Sequence, residues 1–501
     1  MNFAPRSAIT RARSIPQQGT LETLMSTTEP QPGAVTAKPE AMPAEFGLAT
    51  AIFIIVASMV GTGVLTTSGY TVYAVGSNQL MLGLWVVGGI VAACGALTLC
   101  ELTAALPRTG GDYVYLYEAY GPVVAFLSGW VSFFIGFATP AAASAFGASK
   151  FLLAPIRFEG DTRDIAQRGL ATLLLLLFAA IHTSSRSRTA RVQVWITTLK
   201  LVLLTGFVIA GLTAGWRNHG HLDDRPPIAD MSFLPMMFSL VYISYAYVGW
   251  NASSYLAGEV VDPRRKLPLA ILIGTAIVVV LYVSLNVVYA LALSAADVKA
   301  IVDAPTNREA FPPDVVAPIS QLAALKLYGA RWANPLSVAI GLMLLSSMSA
   351  YVLTGPRVVY AMAQAGQFPA FAGRLTKKSG TPAVATALQV SVSLAVLWSG
   401  SFEGLLVYAS VGLAIFSMLT ISAIYVLRIR RPDLPRPFRT PGYPVTPAIF
   451  LIFTALLTLA AFSQRARVST YTLLTIVAGI PVYYLWQFAL RKSPATVDPL
   501  E

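Results

Sequence analysis

Three short stretches hold residues whose types and spacing could do chemistry. VGTGVL at 60–65 and AYVGWNASS at 246–254 place glycines and small polar residues inside long uncharged runs. VQVWITTLKLVLLTGF at 192–207 places one lysine, Lys200, inside another. The chemistry open to the first two is that of the backbone. A helix broken there bares N–H groups at the start of one half and C=O groups at the end of the other, which attract negative and positive charge respectively. Lys200 adds a titratable cation at similar depth. No nucleophile–base pair occurs at matched depth, so the chain does not read as an enzyme. The three histidines, His182, His219 and His221, lie at a span end and in an outer loop, so no metal and no cofactor is assigned.

Composition says which elements must position these residues. Of 501 residues, 55% are hydrophobic and only 12% are charged, about half the charge of a soluble domain. Uncharged stretches long enough to cross a bilayer core recur along the chain, beginning with 46–100, which has room for two spans. The pattern predicts an all-α integral membrane protein of twelve transmembrane helices, with 192–216 a span despite Lys200. Residues 1–45, rich in Pro, Thr, Ala and Gln, and 491–501 read as cytoplasmic tails, the first disordered; initiation at Met25 is an alternative to Met1. The excess of Lys and Arg on the side of both tails, notably Arg428, Arg430, Arg431, Arg436 and Arg439, puts both termini inside a cell membrane. The net charge of +12 therefore needs no nucleic acid. Cys94 and Cys100 share one span, too far apart along a helix to pair and absent from outer loops, so no disulfide-linked subunit is expected. DVVAPISQLAALKLYG, in the longest loop, reads as a short amphipathic helix over the outer mouth.

The two glycine stretches fall in spans that enter the membrane from opposite sides. Alone, GTG reads more readily as close helix packing. A pair of interruptions at corresponding places in two oppositely oriented halves is the pointer to an inverted-repeat transporter. On this reading 46–216 is the first repeat, 231–427 the inverted second, and 440–490 two added helices, all within one domain at 46–490. Broken backbone survives in lipid only where it faces a cavity or ligand. A zwitterion fits, its carboxylate at the half-helix beginning near Gly63 and its ammonium at carbonyls around Met59, Val60 and Val248.

Here the chain resembles the amino acid–polyamine–organocation superfamily, and within it the L-type amino acid transporter-like permeases. VGTGVL looks like the family's unwound motif in helix 1. ALPRTGGDYVYLYEAYGP (105–122) looks like its first inner loop, and GWNASSYLAGEVVDPRRKLPLAI (249–271) like the second half of helix 6. GPRVVYAMAQAGQFP (355–369) and RRPDLPRPFRTPGYPVTP (430–447) resemble later inner loops. The resemblance implies a leucine-transporter-type five-plus-five inverted repeat with helices 1 and 6 unwound, and alternating-access transport of amino acids. It implies substrate contacts at Val60, Gly61, Thr62, Gly63, Tyr245, Val248, Gly249, Trp250 and Asn251, with Tyr245 as the aromatic gate.

By the same likeness Lys200 stands where sodium-coupled members hold an ion, bridging carbonyls near 58–62 and the hydroxyls of Ser346 and Ser347. A structural lysine bonded to helix carbonyls is the alternative. Burial disfavours a charged lysine, which makes proton release and coupling possible. Sodium-independent transport, proton-coupled or exchanging, is therefore expected. Asn251 is either a pocket residue or an ordinary helix-bonding amide. No Asp or Glu lies within 231–258, which favours a neutral amino acid over a cationic amino acid or polyamine. A sensor that binds without transport is a further alternative. Glu101, Arg108, Asp112, Glu259, Asp262 and Arg357, at cytoplasmic helix ends, form a candidate inner gate.

Overall fold

The computed structural model describes residues 42, 44–156, 158, 162–223, 233–303, 319–399, 402–464 and 466–492. Of the expected tails, 1–45 and 491–501, all but residues 42, 44, 45, 491 and 492 lie outside the described residues, as does Met25. The described residues are helical throughout and contain no strand; one isolated parallel bridge joins Phe46 to Val260.

Helix α1 (Leu48–Met59) stops at Val60, and α2 (Thr62–Val75) restarts after Gly61. Helix α3 is Asn78–Ala105, capped where the Ser77 hydroxyl accepts from the Leu80 N–H. A short α4 (Asp112–Tyr120) leads into α5 (Pro122–Leu152). Within α5, Ser132–Ala138 widens into π-helical turns just ahead of Pro140, whose missing N–H cannot continue the normal ladder. Then follow α6 (Thr162–Ser184), α7 (Arg186–Gly215) and α8 (Phe233–Tyr247). After α8 the chain turns at 248–251 and passes through a 3₁₀ segment, Ala252–Glu259. Helices α9 (Pro263–Ala292), α10 (Ala295–Asp303), α11 (Ile319–Tyr328) and α12 (Ala333–Gln364) complete the centre of the chain. The last four are α13 (Ala383–Ser399), α14 (Phe402–Arg430), α15 (Val445–Gln464) and α16 (Ala466–Lys492).

Among the described residues nine helices are long and apolar enough to cross a membrane unaided. That falls short of the expected twelve because the runs at 46–75 and 233–259 are each divided, and α13 is short. The hydrophobic pattern is inside out. On α7, Gln193, Thr197 and Lys200 share one face at helical spacing and are buried, while Trp195, Val202 and Ile209 are exposed. Polar atoms find partners among neighbouring helices, and apolar ones face the surroundings, as hydrocarbon requires.

Packing pairs elements across the two halves: α2 with α8, α3 with α9, α5 with α12, and α6 with α13. The two interruptions meet backbone to backbone. Gly249 has φ +118°, and a Cβ there would lie 2.9 Å from the Ser58 carbonyl carbon and 3.0 Å from the Met59 nitrogen. Backbone thus meets backbone, and neither side can yield. A Cβ on Gly63 would sit 2.8 Å from Ala246 of α8.

Gly249→Ala therefore lowers the melting temperature in detergent well below that of the parent. Gly83→Ala serves as comparison: it meets nothing within 4 Å and should be neutral or stabilising by about 0.5–1 kcal/mol.

Candidate functional site

The end of α1 is where peptide groups most need partners, and three helices supply them. Lys200 Nζ on α7 donates to Val60 O at 2.6 Å, Ala57 O at 3.3 Å and the Ser347 hydroxyl at 2.8 Å. Ser347 on α12 donates in turn to Val60 O at 2.8 Å. Tyr351, one turn on, donates to Ser58 O at 2.8 Å. Tyr282 on α9 places its hydroxyl 2.6 Å from Met59 O and 3.0 Å from Ala246 O, so one proton is shared between the two interrupted segments. Lys200 and Tyr282 are both wholly buried. Lysine thus caps the broken α1, with three oxygen acceptors around its Nζ.

On its other side the break opens onto a cavity of about 60 Å³. Gly61, Gly63, Tyr245, Val248, Gly249 and Asn251 line it, together with small residues of α5 such as Ser132, Gly136 and Ser144. The positive end of α2 points into this space. Two of the expected contacts turn elsewhere. Val60 gives its carbonyl to Lys200, and Trp250 packs edge-on to Phe450 of α15 at 5.8 Å, in a separate cavity behind the second interruption. Thr62 is the first residue of α2. Of the serine pair, Ser347 meets Lys200, whereas Ser346 bonds Thr197 at 3.0 Å.

The charged residues expected to act as one group divide into five settings. Glu259 and Arg357, both buried, form a two-pronged pair at 2.9 and 3.1 Å, with Arg186 Nε 3.7 Å from the same carboxylate. The backbone carbonyl of Glu259 also receives the N–H groups of Glu45 and Phe46, at 2.9 and 2.8 Å, which ties the chain before α1 to the end of the second interruption. Glu101 is instead held by Arg428 and Arg436 and by the N–H of Thr440. Arg108 is exposed and pairs with Glu118. Asp262 adopts a left-handed conformation ahead of α9.

Asp112 leaves the group altogether and enters the cavity wall. Its Oδ2 accepts from Asn251 Nδ2 and from Tyr255 Oη, each at 2.9 Å. Burial pushes its carboxyl up to about 6, against the pull of those hydrogen bonds. Tyr255, Tyr282 and Tyr351 were not singled out in the sequence. Their only signal is a phenol inside an apolar run, which must find an acceptor there.

Long apolar helices packed around an internal cavity of mixed polar and apolar lining, where two interrupted helices touch, define a multi-pass membrane protein. The chain belongs to the amino acid permease family, whose model matches residues 46–485, within the amino acid–polyamine–organocation superfamily. It is 29% identical over 463 residues to Asc-type amino acid transporter 1 of Mus musculus, covering 91% of this chain and 83% of the relative. The large neutral amino acids transporter small subunit 2 of Oryctolagus cuniculus is 29% identical over 468 residues, 92% of this chain and 84% of its own. A cystine/glutamate transporter of Pongo abelii is 26% identical over 440 residues, 87% and 83% respectively.

Glu259→Gln removes the counter-charge of the buried Arg357 and Arg186 and one of the two acceptor oxygens, and should destabilise the protein by about 3–5 kcal/mol. The double variant Glu259→Gln/Arg357→Met should recover part of that loss in a detergent melting experiment.

Proposed function

We propose that this chain is a sodium-independent secondary transporter of neutral amino acids, proton-coupled or exchanging, that works by alternating access. The observation that carries the reading is the backbone contact of Gly249 with Ser58 and Met59 beside an enclosed cavity. Family membership and the amino acid transporters named among its relatives point the same way. The substrate carboxylate lies at the start of α2. Its ammonium approaches the second interruption near Val248 and the remaining lone pairs at the end of α1, most of whose carbonyls already take a donor from the protein. Tyr245 closes the cavity from the outer side.

In this reading α1–α2 and α8 with its 3₁₀ segment are the unwound helices 1 and 6 of a twelve-span, five-plus-five inverted repeat. The pairing of α3 with α9 and of α5 with α12 suits a pseudo-twofold relation between halves. Both termini are cytoplasmic, so Glu259–Arg357 becomes the inner gate, and opening it releases the strap at residues 45–46. Lys200 takes the place of a coupling cation. The two cysteines are buried in α3, so no disulfide-linked subunit is required.

A cationic substrate is the second reading, and Asp112 is what favours it. The case for neutrality rested on the absence of acid within 231–258, and the structure brings one into the cavity from α4.

Counterflow in proteoliposomes tests the proposal. Neutral amino acids should exchange at rates unchanged by replacing sodium with choline, and Lys200→Ala should cut net uptake at least about tenfold, the scale of losing a charge-assisted contact. Amino acid binding in detergent with no flux in vesicles would indicate a sensor instead. A strict sodium requirement would remove the assigned role of Lys200.

A further inference from the structure

Asp112 is the one acid in the cavity wall among the described residues, and neither Lys200 nor the gate uses it. It is 5% exposed, and its two oxygens differ. Oδ2 takes two donors, from Asn251 and Tyr255, while Oδ1 makes no hydrogen bond of normal geometry. The Thr420 hydroxyl of α14 stands beside the carboxyl and favours its charged form, yet neither it nor Oδ1 meets hydrogen-bond geometry. The groups that face the carboxyl are Tyr255 and Asn251 from the second interruption, Thr420 from α14 and Tyr115 from its own helix. None is a cation. Arg108 is committed to Glu118, and Lys200 to Ala57, Val60 and Ser347. A carboxylate buried beside a ligand cavity without a counter-charge is unfavourable until a positive charge reaches its open oxygen.

We propose that Asp112 is a proton-binding residue of the substrate site, taking a proton on Oδ1 when the amino acid binds and giving it up when the amino acid leaves inward. The inference rests on the transport reading and names its coupling group. One proton joins the carboxylate to form a neutral carboxyl; on release the O–H bond breaks, the electron pair returns to oxygen and the proton passes to inner water. Oδ2 keeps its two donors in both states. Asn251 lies two residues beyond Gly249, so charge on Asp112 acts directly on the segment that must move between states.

The carboxyl, pushed up to about 6 by burial, is mostly protonated below that pH and mostly charged above it. Uptake driven by an inward pH gradient should therefore fall roughly tenfold per pH unit above about 6. Asp112→Asn mimics the neutral form. The experiment is net uptake of leucine and alanine against external pH in proteoliposomes holding an entrapped pH dye, with counterflow measured alongside. The parent should acidify the lumen and show the pH dependence; whatever flux Asp112→Asn retains should bring no acidification and a flat pH profile. An Asp112→Asn carrier that still acidifies the lumen, or keeps the parent's profile, overturns the proposal. If Asp112→Asn also loses counterflow, Asp112→Glu must restore pH-dependent uptake, and failure of both variants overturns it. Arginine competition in the parent that Asp112→Asn abolishes would mean that Oδ1 receives a substrate cation, which also overturns it. If the parent itself shows no flux, the transport reading falls; proton uptake on amino acid binding in detergent, measured calorimetrically in buffers of different ionisation enthalpy, then supports Asp112 if present and overturns it if absent.

Discussion

In hydrocarbon every peptide group released from a helix must meet another partner, and the end of α1 is where this constraint is met. Four successive carbonyls, from Ala57 to Val60, each accept from a side chain of another helix: Lys200, Tyr351, Tyr282, and Lys200 with Ser347. These donors come from α7, α9 and α12, so the three helices are fixed around the break that they cap. Tyr282 also reaches Ala246, which makes the first interruption a structural partner of the second. Remove the break and none of these buried polar groups has a reason to be where it is.

The same constraint separates two uses of charge. Pairs that are fully matched, Glu259 with Arg357 and Glu101 with Arg428, Arg436 and the Thr440 N–H, hold elements together at a helix end. Groups with unmet capacity sit at the cavity. Lys200, behind the first interruption, is instead saturated by three oxygen acceptors, whereas Asp112 at the cavity keeps Oδ1 without a hydrogen bond.

Much of this arrangement was legible in the order of residues. VGTGVL and GWNASS announced interruptions because glycine and small polar residues are costly in mid-span unless they approach something closely, and Lys200 announced a buried cation because nothing else charged lies near it in the sequence. The partners were harder to read. Glu101 meets Arg428 across most of the chain, and Tyr282 meets Met59 across several helices, pairings that only tertiary packing decides. Asp112 was grouped with Arg108 and the other charges at cytoplasmic helix ends, yet α4 begins at Asp112 and turns its carboxyl toward Asn251. Trp250 was grouped with its neighbours around Gly249, but the turn at 248–251 sends its ring to Phe450. Thus a break declares itself locally, while the direction in which each residue of the broken segment points does not.

The most direct measurement is density for the protein with a neutral amino acid bound, by cryo-electron microscopy in a lipid nanodisc. The account requires the ligand between the start of α2 and the 248–251 turn, its carboxylate against the N–H groups that follow Gly61, with Lys200 still on Val60. Continuous helices through residues 59–62 and 247–252, or a ligand bound away from both, would contradict it.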